Sequence, residues 1–160
     1  MARKQKEKAM SCASAYETAL TFLTPKARTV REVELKLDEG CYSEGEIMQT
    51  VERLTDAGLL NDEKYARDFI ETRLNTKPVS RFRLAEQLRG HFVPEDIIDA
   101  ALSGLLEDTE LENAKQLVEK FSRQFEKLGD GEEKRRRIYS RLKTRGFSHE
   151  MIMKAMDREE

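Results

Sequence analysis

Residues 80–102 read SRFRLAEQLRGHFVPEDIIDAAL, and the spacing of their apolar residues is that of two helices joined by a turn. Leu84 and Leu88 stand four apart, and Ile97, Ala101 and Leu105 keep the same spacing further on. Each set falls on one face of a helix with 3.6 residues per turn. Gly90 stops the first set. Pro94, followed by Glu95 and Asp96, opens the second, because proline is tolerated in a first helical turn and acids favour its positive end. Working outward, the same periodicity appears in Val30, Val33 and Leu37, and again in Ile47, Val51 and Leu54. Ser43 with Glu46 three residues on reads as a capping box. Gly40, Gly58 and Gly146 read as stops or tight turns, and strict alternation over a strand length is absent. The chain reads as all-α.

The stretch also repeats. With Leu37, Leu88 and Leu142 aligned, Val33, Leu84 and Ile138 lie four residues earlier, and Tyr42, Val93 and Phe147 five later. A helix-starting Ser43, Pro94 or Ser148 follows each, then Ile47, Ile98 and Ile152, then Val51, Leu102 and Met156. The anchors are 51 and 54 residues apart, and every matched position is apolar or a cap. A further helix opens each unit, at about 13–24, 62–75 and 110–127. The expected architecture is a tandem array of three three-helix, helix-turn-helix-like modules over 13–60, 61–108 and 109–160, behind a basic extension over 1–12. Modules of about 50 residues bury little surface alone, so neighbours in an elongated, curved array would share cores.

Composition agrees with thin, repeated cores: of the 160 residues, 38% are hydrophobic and another 38% charged. Opposite charges nearly cancel, with 29 Lys and Arg against 31 Asp and Glu, so only their distribution can argue for nucleic acid. Cys12 and Cys41 have neither a CxxC spacing nor a framework to staple, and read as partly buried thiols in a reducing compartment. No stretch approaches the roughly 20 apolar residues that span a bilayer. The expected location is the cytoplasm.

The motifs of catalysis are missing from the sequence. There is no phosphate-cradling GxxxxGK[ST] loop, no GxGxxG after a strand, no HExxH or Cys/His cluster and no nucleophile motif. His91 and His149 both fall in turns, with His91 expected to face solvent. Glu95–Asp96, Glu107–Asp108 and Asp62–Glu63 lie at helix starts, where compensation of the helix dipole explains them. The expectation is a binding protein without catalytic residues, metal or cofactor.

What remains is the pattern of charge. KRRRIYSRLKTR, from Lys134 to Arg145, holds seven cations and no acid. As a helix it points Ile138 and Leu142 inward and covers the rest with Arg135, Arg136, Arg137, Arg141, Lys143 and Arg145. With no acid inside the run, like charges at helical spacing cost stability, which favours a functional reading over a merely solvated face. The middle module carries a weaker version in Arg73, Lys77, Arg81, Arg83 and Arg89 against Glu86, and Arg3, Lys4, Lys6 and Lys8 add a third group. Acid gathers elsewhere, at Asp38–Glu39 and from Glu107 to Glu112. Tyr139 and Phe147 flank the main patch, Phe147 at a repeat core position, and base-specific readout is not indicated.

The run GLLNDEKYARDFIETR, from Gly58 to Arg73, resembles the linking segment of the bacterial RecX regulatory proteins. ALTFLTPKARTVREVELKLDEG, over 19–40, resembles the first module of that family, and SRFRLAEQLRGHFVPEDIIDAAL the second. Together these cover about residues 15–105; the third module matches in helix spacing more than in sequence. One departure is NTKPVSRFRLAEQLRG, where the family commonly has a glycine before the basic stretch.

The resemblance implies an array that modulates the RecA recombinase by lying in the groove of the recombinase–DNA filament. There it would hinder ATP hydrolysis, strand exchange and filament growth, with some affinity for single-stranded DNA and non-specifically for duplex. Separately from the resemblance, the chain is expected to be a monomer. The expected contact residues are Arg135, Arg136, Arg137, Arg141, Lys143 and Arg145, then Arg81, Arg83 and Arg89, with Arg73 either in contact or bracing a module junction. Two rival readings are a free-standing helix-turn-helix DNA binder and a pure protein–protein adaptor. Against the first, Glu44, Glu46, Glu52, Glu95, Asp96 and Asp99 on the third helices would repel phosphate in a major groove.

Overall fold

A computed structural model of the chain describes residues 13–105, 107–129 and 131–157. Arg3, Lys4, Lys6, Lys8 and Cys12 lie outside the described residues. The described residues hold nine α-helices and no strand: α1 (Ala15–Leu23), α2 (Val30–Glu39), α3 (Glu44–Asp56), α4 (Asp62–Thr76), α5 (Arg81–Gly90), α6 (Glu95–Ser103), α7 (Glu107–Gln124), α8 (Glu132–Thr144) and α9 (His149–Met156). The chain divides into two compact units, one ending at Tyr65 and the other beginning at Ala66.

The helix starts are set by side chains next to them in sequence. Ser14, Thr29 and Ser43 each accept from the backbone N–H of a glutamate three residues on, and Glu17, Glu32 and Glu46 accept in return from the cap N–H. The Ser43–Glu46 box is the one expected from sequence, and it closes with bonds of 3.3 and 2.8 Å. Ser80 and Ser148 cap α5 and α9 through the N–H of Arg83 and Met151. Pro94 is the N-cap of α6 and has no side-chain hydrogen bond to offer.

The turn after each second helix is built the same way three times. Tyr42 N–H donates to Leu37 C=O at 3.3 Å, Val93 to Leu88 at 3.1 Å and Phe147 to Leu142 at 3.3 Å. These are the long bonds of a Schellman motif, and each encloses one left-handed residue. That residue is Cys41, Phe92 or Gly146, with φ of 61°, 60° and 88°. Only the third is glycine; Gly40 and Gly90 stand one and two positions too early, at ordinary negative φ or inside the helix. A bulky side chain at this φ costs roughly 1–2 kcal/mol, and Phe92 bears that cost while half exposed. Cys41 is exposed too, which corrects the expectation of a partly buried thiol.

In the first unit the core gathers Ala15, Ala19, Val33, Leu37, Leu54 and Leu60. α3 departs from the repeat pattern, because Thr50 and Leu54 are the residues it buries, while Ile47 and Val51 are half-buried. In the second unit Leu84, Leu88, Ile98 and Leu102 are buried along α5 and α6. Ala114, Leu117, Phe121, Ile138, Leu142, Phe147 and Ile152 form the core of α7, α8 and α9.

Acids at two helix starts do more than offset a dipole. Within the first unit, Asp62 Oδ1 accepts from Val30 N–H, the first amide of α2, at 3.0 Å. Within the second, Glu110 Oε1 accepts from Arg81 N–H, the first amide of α5, at 3.0 Å. Each acid therefore caps the second helix of the module before it. Burial raises the Asp62 carboxyl above the usual aspartate range, the Val30 N–H opposes the shift, and Glu32 and Glu34 add to it. An acid with a raised folded pKa holds its proton more tightly in the native state, so its ionisation penalises the fold. The penalty is absent below the unfolded pKa, near pH 4, and complete above the folded value. Asp62→Asn keeps the acceptor and removes the charge. Relative to the parent it should gain stability between about pH 4 and pH 7, measured by urea unfolding at both. A gain no larger at pH 7 than at pH 4 would contradict this account.

Candidate functional site

The cations singled out by sequence do not form one surface. Five of them converge in the second unit: Arg73 and Lys77 at the end of α4, Arg83 in α5, Arg141 in α8 and Arg145 at its C-cap. They line a cleft of about 640 Å³, and among the described residues Glu86 is the one carboxylate on its wall. Glu86 is already engaged, accepting from Arg83 Nη1 at 2.9 Å. Among the described residues no ion pair joins Arg73, Lys77, Arg141 or Arg145 to an acid.

The cleft walls are held by hydrogen bonds from the same side chains. Arg83 Nη2 donates to Thr144 C=O at 3.0 Å, and Arg145 Nη1 to Pro78 C=O at 2.9 Å. Ser80 N–H donates to Arg145 C=O at 3.0 Å. The backbone leading into α5 is thereby tied to the corner between α8 and α9. Gly146 closes the seam: a Cβ there would stand 2.5 Å from Ser80 Oγ and 2.9 Å from Arg83 Cβ. Burial, and secondarily the neighbouring charge of Arg141, lowers the pKa of the half-buried Arg145 guanidinium. It also lies over the Phe121 ring, 5.4 Å from its centroid, and Arg73 lies 5.3 Å from that of Phe69. Both arginines thus rest on aromatic faces that keep a cation favourably placed away from water.

The remaining candidates lie elsewhere. Arg136 pairs with Glu132 at 3.6 Å and Arg137 with Glu133 at 2.8 Å. The absence of acids inside 134–145 therefore overstated the repulsion, because the partners stand four residues upstream, just outside the run. Arg135 and Lys143 are exposed on α8 and do not line the cleft. Arg89 is bound to Glu95 through two hydrogen bonds, one of 2.9 Å, and the contact holds Glu95 below the usual glutamate range. Arg81 lines a separate recess with Phe82, Asp99 and Glu110.

Two aromatic assignments also resolve. Phe147 is core, as its repeat position implied, and Tyr139 is half-buried with its hydroxyl 3.1 Å from His149 Nδ1. His91 is half-buried against Phe69, not free in solvent. Besides the half-exposed Phe92, sequence reading passed over Phe82, 63% exposed in the first turn of α5. Its signal was available, since it lies off the Leu84–Leu88 stripe. Among the described residues no group of three His, Cys, Asp or Glu could hold a metal, and no helix is long and apolar enough to cross a membrane.

Tandem three-helix modules, with a cationic cleft at the seam between the second and third, define a helical-repeat protein. Family models described as the first, second and third three-helix domains of RecX match residues 15–54, 61–102 and 108–156. The chain belongs to the RecX family of regulatory proteins. It is 31% identical over 144 residues to the regulatory protein RecX of Prosthecochloris aestuarii, covering 89% of this chain and 91% of that one. It is also 33% identical over 138 residues to that of Mycolicibacterium vanbaalenii, covering 82% and 74%. The crystal structure of RecX from Lactobacillus salivarius superposes with a TM-score of 0.76 at 27% identity, over 89% of this chain and 92% of that one.

Proposed function

We propose that this chain is a cytoplasmic negative regulator of the RecA recombinase that binds as a monomer in the groove of the recombinase–single-stranded DNA filament. It inhibits ATP hydrolysis, strand exchange and filament growth by occupying the groove, one molecule across several recombinase subunits. Family membership supports the regulatory role, and the five-cation cleft, with its lone carboxylate already paired, supports contact with a strongly anionic partner. Contacts spread over many subunits give avidity without any single strong site. Arg135, Arg136, Arg137, Lys143, Arg81 and Arg89 would contribute as an outer electrostatic field, weakened where Glu132, Glu133 and Glu95 already hold the guanidinium.

A sequence-reading helix-turn-helix protein fits less well. Glu44, Glu46, Glu52, Glu95, Asp96 and Asp99 are all exposed on α3 and α6, the helices that would have to enter a major groove. A pure protein adaptor would bind its partner with no affinity for DNA alone.

The deciding experiment is single-stranded-DNA-dependent ATP hydrolysis by the cognate recombinase, with this protein titrated in. A fall in rate at comparable or substoichiometric concentration supports the regulator. An unchanged rate, with filament and protein both shown intact, rejects it.

A further inference from the structure

The cleft at the seam of the second unit has the makings of a discrete ligand site and not merely a charged face. Its cations come from three places in the chain, the end of α4, α5, and α8 with its cap, and face one volume of about 640 Å³. That volume far exceeds what one carboxylate fills. Five cations against one acid leave a surplus of four positive charges, so the matching ligand carries several negative charges close together. Four of the five are guanidinia, whose forked donors suit the oxygens of phosphate, and the fifth, Lys77, is an exposed point charge. Gln87 lines the same wall, and its Oε1 is buried without a hydrogen-bond partner among the described residues. An amide so placed can turn a donor or an acceptor toward a phosphate-bearing ligand.

We propose that the cleft lined by Arg73, Lys77, Arg83, Arg141 and Arg145 binds two or more linked phosphate groups. This rests on the reading that the basic surface of the second and third modules meets a phosphate-bearing partner, and it names the place. A polynucleotide strand and a free polyphosphate chain, such as that of a nucleoside triphosphate, share this chemistry. Arg83 spends Nη1 on Glu86 and Nη2 on the Thr144 carbonyl, and Arg145 spends Nη1 on that of Pro78, which leaves the other N–H groups of each fork for the ligand.

The test uses the full chain without recombinase. Sodium tripolyphosphate is titrated by calorimetry, and a fluorescently labelled oligothymidylate by anisotropy, the second repeated over a range of salt and with tripolyphosphate as competitor. The diagnostic variant is Lys77→Ala with Arg141→Ala, two exposed cations that make no ion pair among the described residues. The control is Lys120→Ala with Lys127→Ala, equal in charge, exposed and outside the cleft. Circular dichroism melts verify that both fold. The cleft pair should weaken binding about tenfold and make the salt dependence shallower by roughly one to two units of slope, while the control changes affinity less than about twofold.

Oligothymidylate bound and displaced by tripolyphosphate identifies the source as a polynucleotide. Tripolyphosphate bound without oligothymidylate identifies a free polyphosphate instead. Binding of neither, or equal losses in the two double variants, overturns the site. A chain that inhibits the recombinase yet binds neither probe loses the cleft and keeps the regulatory reading. One that binds phosphate without inhibiting does the reverse.

Discussion

Gly146→Ala is expected to destabilise the protein by about 2–4 kcal/mol, far more than an alanine normally does to an exposed turn. Two costs combine. The residue is at φ 88°, where any Cβ is strained. The added methyl would also meet Ser80 Oγ at 2.5 Å and Arg83 Cβ at 2.9 Å. Ser80 has little room to yield: it is buried, caps α5 through Arg83 N–H, and donates its own N–H to Arg145. The seam between the second and third modules would have to open, carrying Arg83 and Arg145 with it. Gly90→Ala is the matched comparison, since a Cβ there meets nothing within 4 Å and the position is helical. It should be neutral or stabilising by up to about 1 kcal/mol. Urea unfolding of the two variants decides the matter, and equal effects would rule out the seam as the cause.

Phe147→Ala is expected to cost about 3–5 kcal/mol, the range for deleting a buried aromatic. Phe147 is 1% exposed and belongs to the core of α7, α8 and α9 with Leu117, Phe121, Ile138, Leu142 and Ile152. Its backbone is fixed by the N–H bond to Leu142 C=O, so the surroundings can collapse only partly into the space left behind. Phe147→Leu, which restores most of the volume, should recover a large part of the loss. If Phe147→Ala cost less than about 1 kcal/mol by denaturant unfolding, the third module would not depend on this core.

Much of the fold was legible because it follows local rules. The apolar stripes at spacings of three and four placed the helices, and Ser43, Pro94 and Ser148 marked helix starts where the structure has them. The alignment of Leu37, Leu88 and Leu142 carried across to the turns, each closed by the same long hydrogen bond. Other local features escaped. The left-handed position falls on Cys41 and Phe92, which have no compositional preference for it, one and two residues beyond the glycines at which the helices stop as expected. Asp62 and Glu110 look like ordinary first-turn acids until packing brings each to another helix's first amide.

The candidate site was legible only in part. Local density of positive charge put the emphasis on Arg135, Arg136 and Arg137, and the structure gives two of those three an acid one turn upstream. Arg141 and Arg145 lie in the same run, yet what sets them apart is that Arg73, Lys77 and Arg83 face them across the cleft. By itself the sequence determined the helices, their caps and the threefold repeat, because these depend on residues within about one or two turns of each other. Which cations line one cleft depends instead on how the helices pack. Arg73 and Arg145 are far apart in the chain, and they meet because Ser80, Arg83 and Gly146 lock the second module to the third. Electrostatic potential follows distance in space, which hydrophobic periodicity along the chain does not encode.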